Sequence, residues 1–253
     1  MSRKEFFIGW DADRAKSTVG TIRNYTLMIA IVLVAVSAGM AALQSTIGTA
    51  FFDFGNKKEF KGLFLSDPYP MLISETPIKG HSTILLVNEW KFGLDQEMAK
   101  SFHLKAVTIK GTLIHDDHQA MVEVAKEGIK IDNGGSQSNN FHNQAETIGV
   151  KAISGEIVDS KCWLGVMNPG SRKTHRACAI LCIKGGIPPI MVTKPSDDNP
   201  SGYYLLVDSN GKPINNQVLD YVGLPTQVEG QVDKIANLFV MKIDPKSIQL
   251  KER

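Results

Sequence analysis

The stretch ILLVNEWKFGLDQEMAKSFHLKAVTIKGTLIHDDHQAMVEV (84–124) lies over YLLVDSNGKPINNQVLDYVGLPTQVEGQVDKIANLFVMKI (204–243) with a single one-residue gap. Leu85-Leu86-Val87 meets Leu205-Leu206-Val207, Gly111 meets Gly230, and Val122-Glu123-Val124 meets Met241-Lys242-Ile243. Self-similarity of this kind marks a repeated structural unit. Each copy reads as strand, polar or helical connection, strand, glycine, strand, turn, strand. Alternation at Val107, Ile109 and Leu113, and at Val228 and Val232, is the period of a half-buried strand. Gly111 and Gly230 interrupt their strands where a bulge or bend would curl a small sheet. Upstream, KGLFLSDPYPMLI (61–73) resembles SGEIVDSK (154–161) followed by IPPIMV (187–192), with an insert between those last two pieces that the first copy lacks. The expected fold is mainly β: two repeated small OB-like β-barrel units, at 60–130 and 148–250, the second carrying a short helical Cys/His insert at 162–186.

Between the copies, DNGGSQSNNFHNQAET (132–147) is poor in apolar residues and places a linker at 131–147. KPSDDNPSG (194–202) reads as a further loop.

Ahead of the repeat, residues 24–52 contain no charge, and LMIAIVLVAVSAGMAAL (27–43) is almost wholly apolar. About 20 residues at about 1.5 Å each cross a bilayer core, so 24–52 is expected to be a transmembrane helix. A cleaved signal peptide is the competing reading, but 23 residues precede this run, more than a short n-region. Arg3, Lys4, Arg14, Lys16 and Arg23 precede the helix, against Lys57, Lys58 and Lys61 beyond it. This bias leaves 1–23 in the cytoplasm and the soluble region outside it, periplasmic if the membrane is a bacterial inner membrane. Ala35 with Gly39, Ala38 with Ala42 and Ser37 with Ala41 form a small-residue face suited to another membrane subunit or a homodimer. Asp53-Phe54-Gly55 and the following NKKEFKG read as an interfacial stretch leaving the bilayer.

With 28 basic and 26 acidic residues the formal charge is +2, too small a field to recruit nucleic acid. A hydrophobic fraction of 43% supports a packed core.

All three cysteines fall in CWLGVMNPGSRKTHRACAILCIKGG (162–186). Asn168-Pro169-Gly170-Ser171 reads as a turn and helix cap and Gly185-Gly186 as a stop, so Arg172–Lys184 should be a short helix. At 100° per residue, His175, Cys178 and Cys182 fall within an arc of about 60°. Cys162, ending the preceding strand, could close over that face and complete a Cys₃His set. Such a set suits zinc or an iron–sulfur cluster. A disulfide from Cys162 to Cys178 or Cys182 would instead leave one thiol, whose thiolate His175, Arg176 or Lys184 could favour. A third reading is three small core residues beside a surface histidine.

No CxxCH is present for haem attachment. Met167 and Met191 offer thioethers to copper but are ordinary core fillers, as Trp163 is a packing residue. His115-Asp116-Asp117-His118 occupies a hairpin turn on the repeat, where polar residues belong. His81, His103 and His142 form no constellation. Hydrolase, zinc-protease and nucleotide-loop signatures are absent.

The string GEIVDSKCWLGVMNPG, continuing through KTHRACAILCIKGGIPPIMV, resembles a family of largely uncharacterised bacterial membrane-anchored proteins. Their motif is Gly-x-Ile-Val-Asp-x-x-Cys followed by His-x-x-Cys-Ala-x-x-Cys and Gly-x-Pro. The match is close over 155–192 and loose elsewhere in the soluble region. The resemblance implies an extracytoplasmic location and singles out Cys162, His175, Cys178 and Cys182. The leading expectation is a non-catalytic or electron-transfer accessory subunit of a bacterial membrane complex. The alternative is a thiol- or metal-dependent redox protein or metal chaperone using the same four residues.

Overall fold

The structure is a computed structural model that describes residues 16–45, 50–117, 119–132 and 145–251. Residues 1–15, most of the expected linker, His118 and His142 therefore lie outside the described residues. The apolar run forms helix α1 (Lys16–Ser45), within which Val19–Leu43 is long and apolar enough to cross a membrane. Thr49–Arg253 forms a separate compact body.

The helix does not reach the expected limit at residue 52. Phe51 and Phe52 open strand β1 (Phe51–Leu65), paired with His115 and Ile114 of β4 (Ala106–His115). Apolarity sets solubility in lipid, not helicity, and these aromatic residues suit a strand that a partner can complete. The expected interfacial stretch is accordingly part of β1, and the first β unit starts at residue 51 rather than 60. The second starts at β6 (Ala145–Asp159).

Strands β2 (Met71–Ile78), β3 (His81–Val87) and β5 (Ala120–Ile131) join β1 and β4 in a closed barrel of order β1-β2-β3-β5-β4. A short helix, α2 (Gln96–Phe102), fills the connection from β3 to β4. The second sheet has order β10-β8-β7-β6-β9-β11, built from β7 (Pro189–Val192), β8 (Tyr203–Asp208), β9 (Pro225–Ile235), β10 (Leu238–Ile243) and β11 (Gln249–Leu250). An extra pairing of β10 with β9 links five of these strands in a ring.

Registers recur between the two sheets. Leu85 pairs in parallel with Met121 as Leu205 does with Val240. Gly62 pairs with Val107 as Gly155 does with Thr226, and Gly111 with Val124 as Gly230 does with Ile243. At the last two glycines a Cβ would lie 2.4 Å from the Glu123 carbonyl and 2.1 Å from that of Lys242. Close approach of the neighbouring strand, more than bending alone, requires glycine there.

The Leu-Leu-Val runs are apolar without alternation because both of their faces are buried. Leu86, with Phe64, Leu72, Ile84 and Val122, fills the first barrel. Leu206, with Ile157, Met191, Val228 and Met241, fills the second sheet. Leu85 and Val87 turn outward to meet Leu205, Val207, Val158 and Val240 in a third apolar layer between the sheets. The two β units are therefore one body. Polar ties cross the same layer: Asn237 Oδ1 accepts from the Ser82 and Thr83 amides at 2.9 and 2.8 Å, and its Nδ2 donates to Gln119 at 3.0 Å. The Tyr69 hydroxyl accepts from the Ile214 amide at 3.0 Å and donates to the Leu206 carbonyl at 3.3 Å.

Asn237→Ala leaves two β3 amides without their acceptor, so it should cost about 2–3 kcal/mol. Urea unfolding of the full chain in detergent, followed by tryptophan fluorescence, measures this loss.

Candidate metal centre

The insert leaves β6 through a wide turn, Cys162–Val166, and returns through helix α3 (Arg172–Lys184), whose bounds match those expected from its turn and stop signals. Asp159, fully buried at the end of β6, accepts the Cys162 amide on Oδ1 at 2.8 Å and so fixes where the turn begins. The start of α3 differs from expectation, because Ser171 makes no side-chain cap. The Glu156 carboxylate of β6 instead accepts the Arg172 amide, using the donor-rich helix terminus as an anion site. Burial raises the Glu156 pKa above the usual carboxylate value, opposed by this hydrogen bond.

The three cysteine sulfurs converge. Cys162, Cys178 and Cys182 place their Sγ atoms within 4.8 Å of one another, with Cys162 and Cys182 at 4.0 Å. All three are free thiols, so no disulfide joins them. Cys162 and Cys182 are buried and Cys178 is partly exposed. Such a group could hold a soft metal ion.

His175 stands elsewhere. Its Nε2 lies 3.1 Å from Asp159 Oδ2, and it groups with Asp159 and Cys162 but not with Cys178 and Cys182. The expected Cys₃His set is thus divided into two triads that share Cys162. His175, Cys178 and Cys182 share one face of α3 by their spacing, but a face is a stripe along the axis. At about 1.5 Å per residue His175 lies about 10 Å below Cys182, and helical side chains lean toward the N-terminus, which carries its ring farther away.

Three contributors are not among the candidate site residues of the sequence, although Asp159 is the Asp of its quoted motif. Lys91, in the loop after β3, sets its Nζ 2.7 Å from Cys178 Sγ and 3.8 Å from Cys182 Sγ. It comes from the other sheet, distant in sequence from its thiols, so no local spacing could reveal it. Asp159 and Lys161 sit inside GEIVDSKC, where charged residues ending an apolar strand were the available signal. The Lys161 ammonium is buried, bonded to the carbonyls of Asn88 at 3.0 Å and Trp90 at 2.8 Å and paired with Glu123 at 3.1 Å. It holds the loop from which Lys91 projects. The helix stop holds the same loop: the Gly93 amide donates to the Gly185 carbonyl at 3.0 Å, and a Cβ on Gly185 would lie 2.0 Å from the Lys91 carbonyl.

Charge is uneven among the thiols. The hydrogen bond to Cys182, and then burial, push the Cys162 thiol far above the usual thiol range. The same hydrogen bond, and more weakly the charge on Lys91, lower the pKa of Cys182. The two shifts run in opposite directions because one hydrogen bond couples the pair, and either sulfur can be its donor. The bond to Cys178 raises the Lys91 pKa, keeping its ammonium charged.

Of the remaining candidates, His81, His103, His115, Asp116 and Asp117 join neither triad. Met191 is buried in the second sheet and Met167 is exposed. Trp163 packs on Tyr203 with ring centroids 5.6 Å apart. Asp116 accepts the Gln119 amide at 2.7 Å in the β4–β5 turn. His103 Nδ1 lies 2.9 Å from Ser66 Oγ, and His81 is buried at the start of β3. No family model, curated protein or solved structure matches this chain.

Lys161→Met strands Glu123 and two loop carbonyls. It should cost about 3 kcal/mol in denaturant unfolding of the full chain.

Proposed function

We propose that this chain is a single-span, membrane-anchored accessory subunit of a bacterial membrane complex. Its extracytoplasmic body would carry two OB-like β units, the second holding one soft metal ion, zinc in the first instance, on Cys162, Cys178 and Cys182. The convergence of three free thiols from a turn and a helix carries this reading. In an oxidising compartment, adjacent thiols without a bridge are expected where a metal protects them. The sulfur spacing favours a single ion over an iron–sulfur cluster, because a cluster ties its cysteines to different irons and spreads them wider. His175, originally grouped with the ligands, serves here to hold Asp159 and through it the turn at Cys162.

The order β1-β2-β3-β5-β4 with parallel β3 and β5 supports the OB-like reading, and the recurring registers support the repeat. The positive charges preceding α1 support an N-terminus in the cytoplasm. The small-residue face of α1 supports a partner subunit or a homodimer within the lipid. The motif over 155–192 supports membership of the bacterial family that it resembles.

One observation favours a second reading, that of a thiol redox protein or metal chaperone. The Lys91 ammonium stands 2.7 Å from the sulfur of partly exposed Cys178, the electropositive, accessible setting of exchange-active cysteines.

Elemental analysis and thiol counting on the full chain in detergent test the proposal. One zinc per chain and three protected thiols are expected, with Cys162→Ser, Cys178→Ser or Cys182→Ser each lowering occupancy. Metal-free protein with one disulfide and one reactive thiol would reverse the ranking of the two readings.

A further inference from the structure

We infer that the metal centre keeps its fourth coordination position open and that this position takes an exogenous thiolate, held beside the metal by Lys91. The inference rests on the metal reading above and concerns what that site binds. Structural zinc sites are closed by four protein ligands, whereas sites with three keep an exchangeable position. Among the described residues three sulfurs converge, and the imidazole of His175 is held by a buried carboxylate at 3.1 Å.

On the cluster, Lys91 stands against Cys178 at 2.7 Å and Cys182 at 3.8 Å. An ammonium has donors and no lone pair, so it cannot be the missing ligand. It can bond an anion that is. Access exists on this side, since Cys178 is partly exposed while Cys162 and Cys182 are covered.

The anion best matched to a soft metal already held by sulfur is another thiolate. Its binding forms a fourth metal–sulfur bond, displaces the water that otherwise completes the coordination, and releases the thiol proton to solvent. Lys91 then donates to the incoming sulfur. The loop carrying it is fixed by Lys161 and by Gly185, so the donor stands in place before the ligand arrives.

Cobalt(II) replaces zinc as a visible probe in the full chain in detergent. Titration with 2-mercaptoethanol, and separately with a blocked tripeptide containing one cysteine, should shift the d–d bands toward a four-sulfur spectrum. A response to 2-mercaptoethanol alone identifies a small-molecule thiol, and an equal response to the peptide identifies a partner's cysteine; both support the inference. Lys91→Met should keep cobalt bound but weaken the thiol about tenfold, one charge-assisted hydrogen bond's worth. A spectrum that neither thiol moves overturns the open position while leaving the metal reading intact. A folded wild-type chain that takes up no cobalt or zinc defeats both.

Discussion

The buried ammonium of Lys161 is the contact through which the two halves of the soluble body become one site. It sits between Glu123 of the first barrel and the Asn88 and Trp90 carbonyls of the loop after β3, while its own backbone leads directly into Cys162. A charge withdrawn from water is tolerated only when every donor is used, and here the acceptors all belong to the other sheet. Placing Lys161 therefore places the loop, and placing the loop brings Lys91 to the thiols. The positions of Asp159, Cys162 and α3 are set within the second sheet; the position of the cation is set by this one crossing.

Much of this was legible in the sequence, for identifiable reasons. The helix Arg172–Lys184 could be delimited because turn and stop signals bracket it, and the cysteine grouping followed from helical spacing. The stretches 84–124 and 204–243 form strands in which Gly111 and Gly230 each stand where a neighbouring carbonyl approaches. What the sequence concealed was lateral. Angular position on a helix says which residues share a face but not how far along it they lie, so spacing alone does not separate His175, beside Asp159 and Cys162, from Cys178 and Cys182. Lys91 lies in the loop after β3, and its partners emerge only once that loop has folded onto Gly185. The reach of α1 was overestimated because Phe51 and Phe52 satisfy lipid and strand criteria equally well.

The cysteine cluster also shows why a local motif understates a site. Cys162, Cys178 and Cys182 appear in one insert, yet their electrostatic character depends on a residue outside it. The pKa of Cys182 is lowered first by the hydrogen bond with Cys162 and then by Lys91, and Cys178 stands closest to that ammonium. An isolated insert peptide would keep the sulfurs and lose the ammonium beside them.

The apolar layer formed by Leu85, Val87, Leu205, Val207 and Val240 has a consequence for how the molecule comes apart. Each sheet lends its outer face to the other, so neither can shed its neighbour without wetting the backs of its own central strands. The body should melt in a single cooperative transition, and no proteolytic cut between the sheets should release a barrel that stays folded. The barrel and the second sheet are on this view not two beads on a chain but two halves that hold each other folded.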